Sequence, residues 1–230
     1  MTATLVERLS RLDTCAVSDA LDRLGKSGLA AGLTPLSGSR LVVGEAITVQ
    51  LGPVDGTASP RHLCTAAVDA SGPGKVIVIA HGARTDVAGW GGILSLGAVT
   101  RGAEGVVIDG ACRDLDETRQ YGLPLWGRNA VPTTARGRIR EVAWNEPVTL
   151  CGVPVAPGDL VIADASGVLF IARADAAEVV ATAETIARRE RLIADAVRGG
   201  RSMAEAMGAN YETMLTEHTG VSVNEGRETV

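Results

Sequence analysis

The chain has 230 residues, of which 46% are apolar and 21% charged, with a formal net charge of -5. That length and apolar content fit one globular domain with a sizeable core, or one domain with an extension, and exclude an intrinsically disordered chain. The acidic balance argues against a nucleic-acid partner or an anionic membrane surface.

Residues 3–25 read as helix in two pieces. Leu5, Leu9 and Leu12 share one face and Val17, Leu21 and Leu24 another, with Thr14 as a cap between the pieces and Gly25 as the stop. Residues 26–38 are loop. Residues 40–51 predict a strand pair or a bulged strand, broken at Gly44. A short helix follows over 62–70, then a turn, then the continuous apolar run of residues 75–80, which reads as a buried strand. Gly89, Gly91 and Gly92 form a turn that opens a helix over 92–102. Residues 105–109 form an apolar strand that ends in a tight turn at Asp109-Gly110. After a short helix at 118–121, a strand over 125–128 and meandering strands over 133–150 are expected. Residues 153–163 form a strand–turn–strand unit, and 164–167 is a hairpin turn into a strand at 168–171. A long helix spans 175–198, ends at Gly199-Gly200, and is followed by a short helix at 202–207 and a polar tail.

This order predicts a layered α/β sandwich with a mixed sheet. The simplest partition is a domain over residues 1–174 and a C-terminal helical arm and tail over 175–230, the arm packing on a neighbouring subunit. No apolar run reaches membrane-spanning length, and the first thirteen residues carry charge in place of an apolar signal core, so a cytoplasmic location is expected. Cys15, Cys64, Cys112 and Cys151 are widely spaced, with no CxxC pair; free thiols are expected and a zinc knuckle is not.

The chemistry concentrates at two places. Glycines 89, 91 and 92 precede a helix start, where bare backbone amides suit a small anion such as a carboxylate. The turn matches neither a dinucleotide fingerprint nor a phosphate-binding loop, and it reads equally well as a tight packing turn. Arg113, Asp114 and Glu117 stand together, and Asp114 and Glu117 lie three apart, so one helical turn aims both carboxylates the same way. Two hard oxygen donors beside a guanidinium suit Mg²⁺ or Mn²⁺ and an anionic substrate. An acidic first helical turn, favoured by the helix dipole, accounts for the same residues without any function. His62, His81 and His218 are scattered as surface or hydrogen-bonded histidines usually are, although His81 leads toward the glycine turn. Lys26 and Lys75 are the only lysines, and Lys75 sits at a strand mouth, so Schiff-base chemistry is disfavoured.

Gly92, twenty further residues, Arg113-Asp114, two residues and Glu117 match the pattern G-x20-R-D-x2-E/D. In this the chain resembles the RraA-like proteins, which include the 4-hydroxy-4-methyl-2-oxoglutarate aldolases. The similarity extends through residues 17–21, 43–49, 72–76, 105–110 and 157–168, covering about residues 14–172. The resemblance implies an α/β/β/α sandwich assembled as a homotrimer or homohexamer with active sites between subunits. It implies a divalent-metal (class II) pyruvate aldolase that also decarboxylates oxaloacetate. Arg113 would bind the 2-oxo acid and steady the enolate. Asp114 would hold Mg²⁺ or Mn²⁺ with Glu117 in support, and the amides of Gly91, Gly92, Ile93 and Leu94 would hold the substrate carboxylate. A glutamate from a neighbour's C-terminal helix, matched here by Glu190, would join the metal's water shell. Another branch of the family carries an acidic residue where this chain has Gly92, so Glu117 is expected to take over part of its work. A second reading is a regulator that binds an RNase E-type ribonuclease without catalysis, as some relatives do. A methyltransferase role finds no support, since no glycine-rich cofactor loop follows a first strand.

Overall fold

A computed structural model describes residues 3–56 and 61–208. The amphipathic N-terminus folds as two helices, α1 (Leu5–Leu9) and α2 (Thr14–Arg23). A capping box between Thr4 and Glu7 starts α1, and Asp13, one residue earlier than the sequence suggests, caps α2 by accepting from Ala16 N at 2.8 Å. Strands β1 (Thr34–Ser37) and β2 (Val42–Pro53) follow, and β2 runs unbroken through Gly44. That glycine is a close-approach residue: a Cβ there would lie 2.8 Å from Gly74 O.

The next elements are α3 (Thr65–Ala70), β3 (Lys75–Trp90), α4 (Gly92–Arg101), β4 (Gly105–Cys112) and α5 (Leu115–Gln120). Strands β5 (Leu125–Gly127), β6 (Asn129–Ala130), β7 (Ile139–Trp144), β8 (Val148–Leu150) and β9 (Val153–Val155) come next. The hairpin β10 (Leu160–Ala163) and β11 (Val168–Ile171) leads to α6 (Ala176–Arg198) and α7 (Met203–Met207). His218 and the polar tail lie outside the described residues.

The main sheet runs β1-β5-β4-β3-β2-β10-β11, with β6 beside β4 and β7 beside β2. Strands β2 to β5 pair in parallel, and the remaining pairs are antiparallel apart from β4–β6. The sheet is therefore mixed, and it is curled. Even-numbered β2 and β3 residues, Ala46, Val76 and Val78, meet Val161, Val168, Phe170 and the β8–β9 hairpin in an inner cluster. Odd-numbered Ile47, Val49, Ile77 and Ile79 face α3 and α4 on one outer flank. Val43, Leu160, Ile162 and Leu169 face α1, α2 and α6 on the other. The result is the layered α/β arrangement that the element order predicts, built from the period-2 alternation of each strand.

Two strands outrun their expected ends. β3 continues past Ala80 through polar Arg84 and Asp86 to Trp90, its pairing with β4 interrupted by irregularities around residues 79–90. β4 continues through Asp109 and Gly110, which are mid-strand and not a turn. Asp109 is 5% exposed and is matched by Arg128 Nε at 2.5 Å. Gly110 is bare because the His81 ring fills the space of its Cβ.

α6 divides along its length. Val179, Val180, Ala183 and Ile186 pack into this chain's own core, while Leu192 beyond them is 66% exposed. Among the described residues no helix is long and apolar enough to cross a membrane.

Candidate active site

The ends of β3 and β4 lie side by side, Trp90 opposite Cys112. Each strand leads into a helix, so the start of α4 and the start of α5 meet at one corner. Arg113 N donates to Trp90 O at 3.0 Å, which locks the two strand ends together. Asp114 then adopts the left-handed conformation (φ 56°, ψ 41°), unusual for a residue with a side chain and of the kind that clusters at functional sites. That kink turns its carboxylate back toward the glycine turn. Asp114 Oδ2 accepts from Gly92 N at 3.2 Å and from Arg113 Nε at 3.0 Å.

Beneath the corner lies a buried hydroxyl network. Trp90 Nε1 donates to Ser95 Oγ at 2.8 Å, and Ser95 Oγ lies 2.9 Å from Thr118 Oγ1. Thr118 Oγ1 in turn donates to Asp114 O at 3.1 Å. Ser95 and Thr118 are fully buried and Trp90 is 1% exposed. The network couples the glycine turn, α4 and α5 at fixed spacing.

Glu117 completes the corner. Its Oε2 occupies the space that a Cβ on Gly92 would need, and Asp114 Cβ lies 3.2 Å from the same point. The missing side chain at residue 92 is thus replaced by a carboxylate from α5. Two hard oxygen donors converge on a turn with no side chains of its own, which fits a largely hydrated Mg²⁺ or Mn²⁺. Among the described residues no cluster of three or more His, Cys, Asp or Glu side chains could hold a metal, so at this corner Asp114 and Glu117 would supply the protein donors and water the rest.

A cavity of about 270 Å³ opens over this corner. It is lined by Ala88 to Leu94, Arg113 and Asp114, together with His62 and Leu63 and the loop residues Thr134, Ala135 and Arg136. The first amides of α4 are orphan donors by position. Gly92 N is taken by Asp114, which leaves Ile93 and Leu94 as the free anion donors. Arg113 uses Nε on Asp114 and lines the cavity.

The structure brings Gly91, Gly92, Ile93, Leu94, Arg113, Asp114 and Glu117 together, and it separates Glu190 from them. Glu190 lies on α6, in a crevice with α7, where burial and then the charges of Asp13 and Asp19 push its carboxyl above the ordinary range. His81 does not line the cleft. It is 3% exposed, its Nε2 lies 2.9 Å from Val87 O, and burial lowers its pKa. Cys64 and Cys112 are buried beside the site and their thiols are pushed up by burial, so neither is poised as a nucleophile. Lys75 pairs with Glu45 at 2.7 Å, away from the cavity.

Ser95, Thr118, Thr134 and Arg136 are the residues that sequence reasoning passes over. Ser95 and Thr118 carry no local signal, since isolated hydroxyls on short helices are common. Thr134 and Arg136 belong to a loop whose route over the cavity is set by tertiary pairing.

Comparison with known proteins gives the family and the fold. The RraA-like family model, described as Aldolase/RraA, matches residues 14–170. A putative 4-hydroxy-4-methyl-2-oxoglutarate aldolase of Halalkalibacterium halodurans is 35% identical over 208 residues, covering 88% of this chain and 94% of that protein. The chain is also 28% identical to protein DlpA of Legionella pneumophila, spanning 97% of its own length but 36% of DlpA's. Among solved structures, one from Pseudomonas syringae pv. tomato superposes with a TM-score of 0.80 at 33% identity, covering 89% of this chain and 96% of that one. Streptomyces coelicolor RraAS2, described as an unusual member of the RNase ES inhibitor RraA protein family, superposes with a TM-score of 0.73 at 28% identity, covering 83% and 96%.

Proposed function

The chain belongs to the RraA-like family, and from that premise and the geometry of its charged corner we propose that it is a divalent-metal-dependent (class II) pyruvate aldolase. It cleaves 4-hydroxy-2-oxo acids such as 4-hydroxy-4-methyl-2-oxoglutarate to pyruvate and decarboxylates oxaloacetate. The observation that carries this reading is the convergence of Arg113, Asp114 and Glu117 on the bare glycine turn at residues 91–92.

The amides of Ile93 and Leu94, at the positive end of α4, hold the carboxylate of the 2-oxo acid. Arg113 faces the oxygen on which negative charge develops as the carbon–carbon bond breaks, and its charge offsets that development. Asp114 anchors Arg113 in place and, with Glu117, holds Mg²⁺ or Mn²⁺. When bound there, the ion supplies Lewis-acid polarisation of the keto group. Retro-aldol cleavage needs a base for the substrate hydroxyl, whereas decarboxylation does not, so one site serves both reactions with the same charge stabilisation.

A homo-oligomer, trimer or hexamer, is part of the proposal. α4 presents Ile93 at 78%, Leu96 at 43% and Val99 at 38% exposure, three apart along one face that borders the cavity. A second copy covers this face, and the outer half of α6, with Glu190, packs on a neighbour. The location is cytoplasmic.

The test is pyruvate release from 4-hydroxy-4-methyl-2-oxoglutarate and from oxaloacetate. Both activities are expected to stop in EDTA and return with Mg²⁺ or Mn²⁺; full turnover in chelator overturns the metal role. The likeness to RraAS2 favours a second reading, a regulator that binds an RNase E-type ribonuclease. Capture of such a ribonuclease by a chain that releases no pyruvate decides for it.

A further inference from the structure

Among the described residues the cavity lining carries two guanidinium-bearing residues, Arg113 and Arg136, and one carboxylate residue, Asp114. Asp114 is already matched by Arg113 at 3.0 Å. The second arginine of the lining, Arg136, comes from the loop over residues 131–138. Nearby arginines on other faces are paired, Arg140 with Asp55 at 2.6 Å and Arg128 with Asp109. Arg136 has no ion pair or side-chain hydrogen bond among the described residues, and it is exposed and lines the cavity.

The loop that carries it is built, not loose. Ala88 N donates to Thr133 O at 3.1 Å, tying the loop to β3 beside the site. Arg138 N and Ile139 N both donate to Ala135 O, at 2.9 and 3.0 Å, and Arg136 N donates to Thr134 Oγ1 at 3.3 Å. The loop backbone is therefore fixed where it borders the cavity, and Arg136 lines the same cavity as Arg113 and the start of α4.

We propose that Arg136 is a specificity-determining residue that reads a second carboxylate, on the half of the substrate that leaves as the carbon–carbon bond breaks. The assignment rests on the aldolase reading for the orientation of the substrate. A guanidinium pairs with a carboxylate through two parallel hydrogen bonds, a match that a neutral alkyl end cannot supply. A substrate with a plain methyl or ethyl terminus leaves Arg136 as it is in the free protein.

The experiment compares 2-oxoglutarate with 2-oxopentanoate, which has the same carbon chain but lacks the second carboxylate. Calorimetric titration with Mg²⁺ present is run on the wild-type chain, Arg136→Ala and Arg136→Lys. Turnover of a dicarboxylic 4-hydroxy-2-oxo acid is set beside that of 4-hydroxy-2-oxopentanoate. The wild type is expected to bind 2-oxoglutarate about 10-fold or more tighter, the usual contribution of a charge-assisted pair. Arg136→Ala removes the preference and leaves 2-oxopentanoate binding unchanged, Arg136→Lys keeps part of it, and Arg113→Ala weakens both ligands. Equal weakening of both ligands by Arg136→Ala, no preference in the wild type, or no binding of either ligand overturns the assignment. If the binding preference follows Arg136 but no pyruvate is released, the aldolase reading falls and Arg136 stands. If pyruvate is released from both substrates equally well with and without Arg136, the aldolase reading stands and Arg136 falls.

Discussion

Gly92 has no side chain because Glu117 takes its place, and this exchange is the most specific feature of the site at the scale of single residues. A Cβ at residue 92 would overlap the Glu117 carboxylate, so an acidic residue there and Glu117 cannot both occupy the corner as built. Gly92→Asp is expected to push Glu117 aside and weaken Mn²⁺ binding by about 10-fold, in the range seen when a metal's supporting groups are disturbed. Removing Glu117 as well, in Gly92→Asp/Glu117→Ala, is expected to recover most of that loss by swapping the donor's origin. Titration of Mn²⁺ by electron paramagnetic resonance reads both variants, and a double variant no better than the single one defeats the exchange. Asp114 is held to its left-handed backbone by Thr118 and Gly92, so its carboxylate direction is fixed before any ligand arrives.

At the scale of elements, Asp164 joins three of them. Its carboxylate accepts from Thr14 N at 3.0 Å and Thr14 Oγ1 at 2.7 Å at the start of α2, and from Ser166 N at 2.8 Å in the β10–β11 turn. Its backbone carbonyl accepts from Trp126 Nε1 at 2.9 Å in β5. Burial alone raises its pKa, but the hydrogen bonds from Thr14, Ser166 and Gly167 outweigh it and hold the carboxyl below the ordinary range. A carboxyl that titrates lower in the folded chain than its unfolded value of about 3.9 stabilises the fold above that pH. The contribution is lost as pH falls through the folded value. Asp164→Ala is expected to cost about 1 kcal/mol at pH 7, allowing for partial exposure of the group. Thermal unfolding of both proteins from pH 7 to pH 3 checks this: the gap narrows toward pH 3, and a gap independent of pH rules out the carboxylate as its cause.

For the whole molecule, the exposed stripe of Ile93, Leu96 and Val99 links assembly to the site, because Ile93 also lines the cavity. Monomeric proteins seldom leave such a row beside a functional cleft uncovered. Leu96→Glu places a charge in the middle of the row while leaving every hydrogen bond of the corner untouched. Light scattering is expected to show the variant reduced to single chains while the wild type forms trimers or hexamers. An unchanged mass for the variant places the contact elsewhere.

Local chemistry was enough for much of this protein. The alternating and continuous apolar runs marked β2, β3, β4, β10 and β11, and the long amphipathic pattern marked α6, because burial on defined faces must be written into side-chain spacing. Arg113, Asp114 and Glu117 stood out as candidates because they are neighbours on one short turn. Folding decided the rest. The polar second half of β3 is a strand because its partner β4 continues beside it, which no run of residues 81–90 reveals. Asp109-Gly110 spells a turn locally, yet Arg128 and His81, distant in sequence, hold it mid-strand. Arg136 came to line the cavity, and Ser95 and Thr118 to brace the corner, through the tie of Ala88 to Thr133 and the pairing of α4 with α5, and such contacts are fixed by packing, not by local preference.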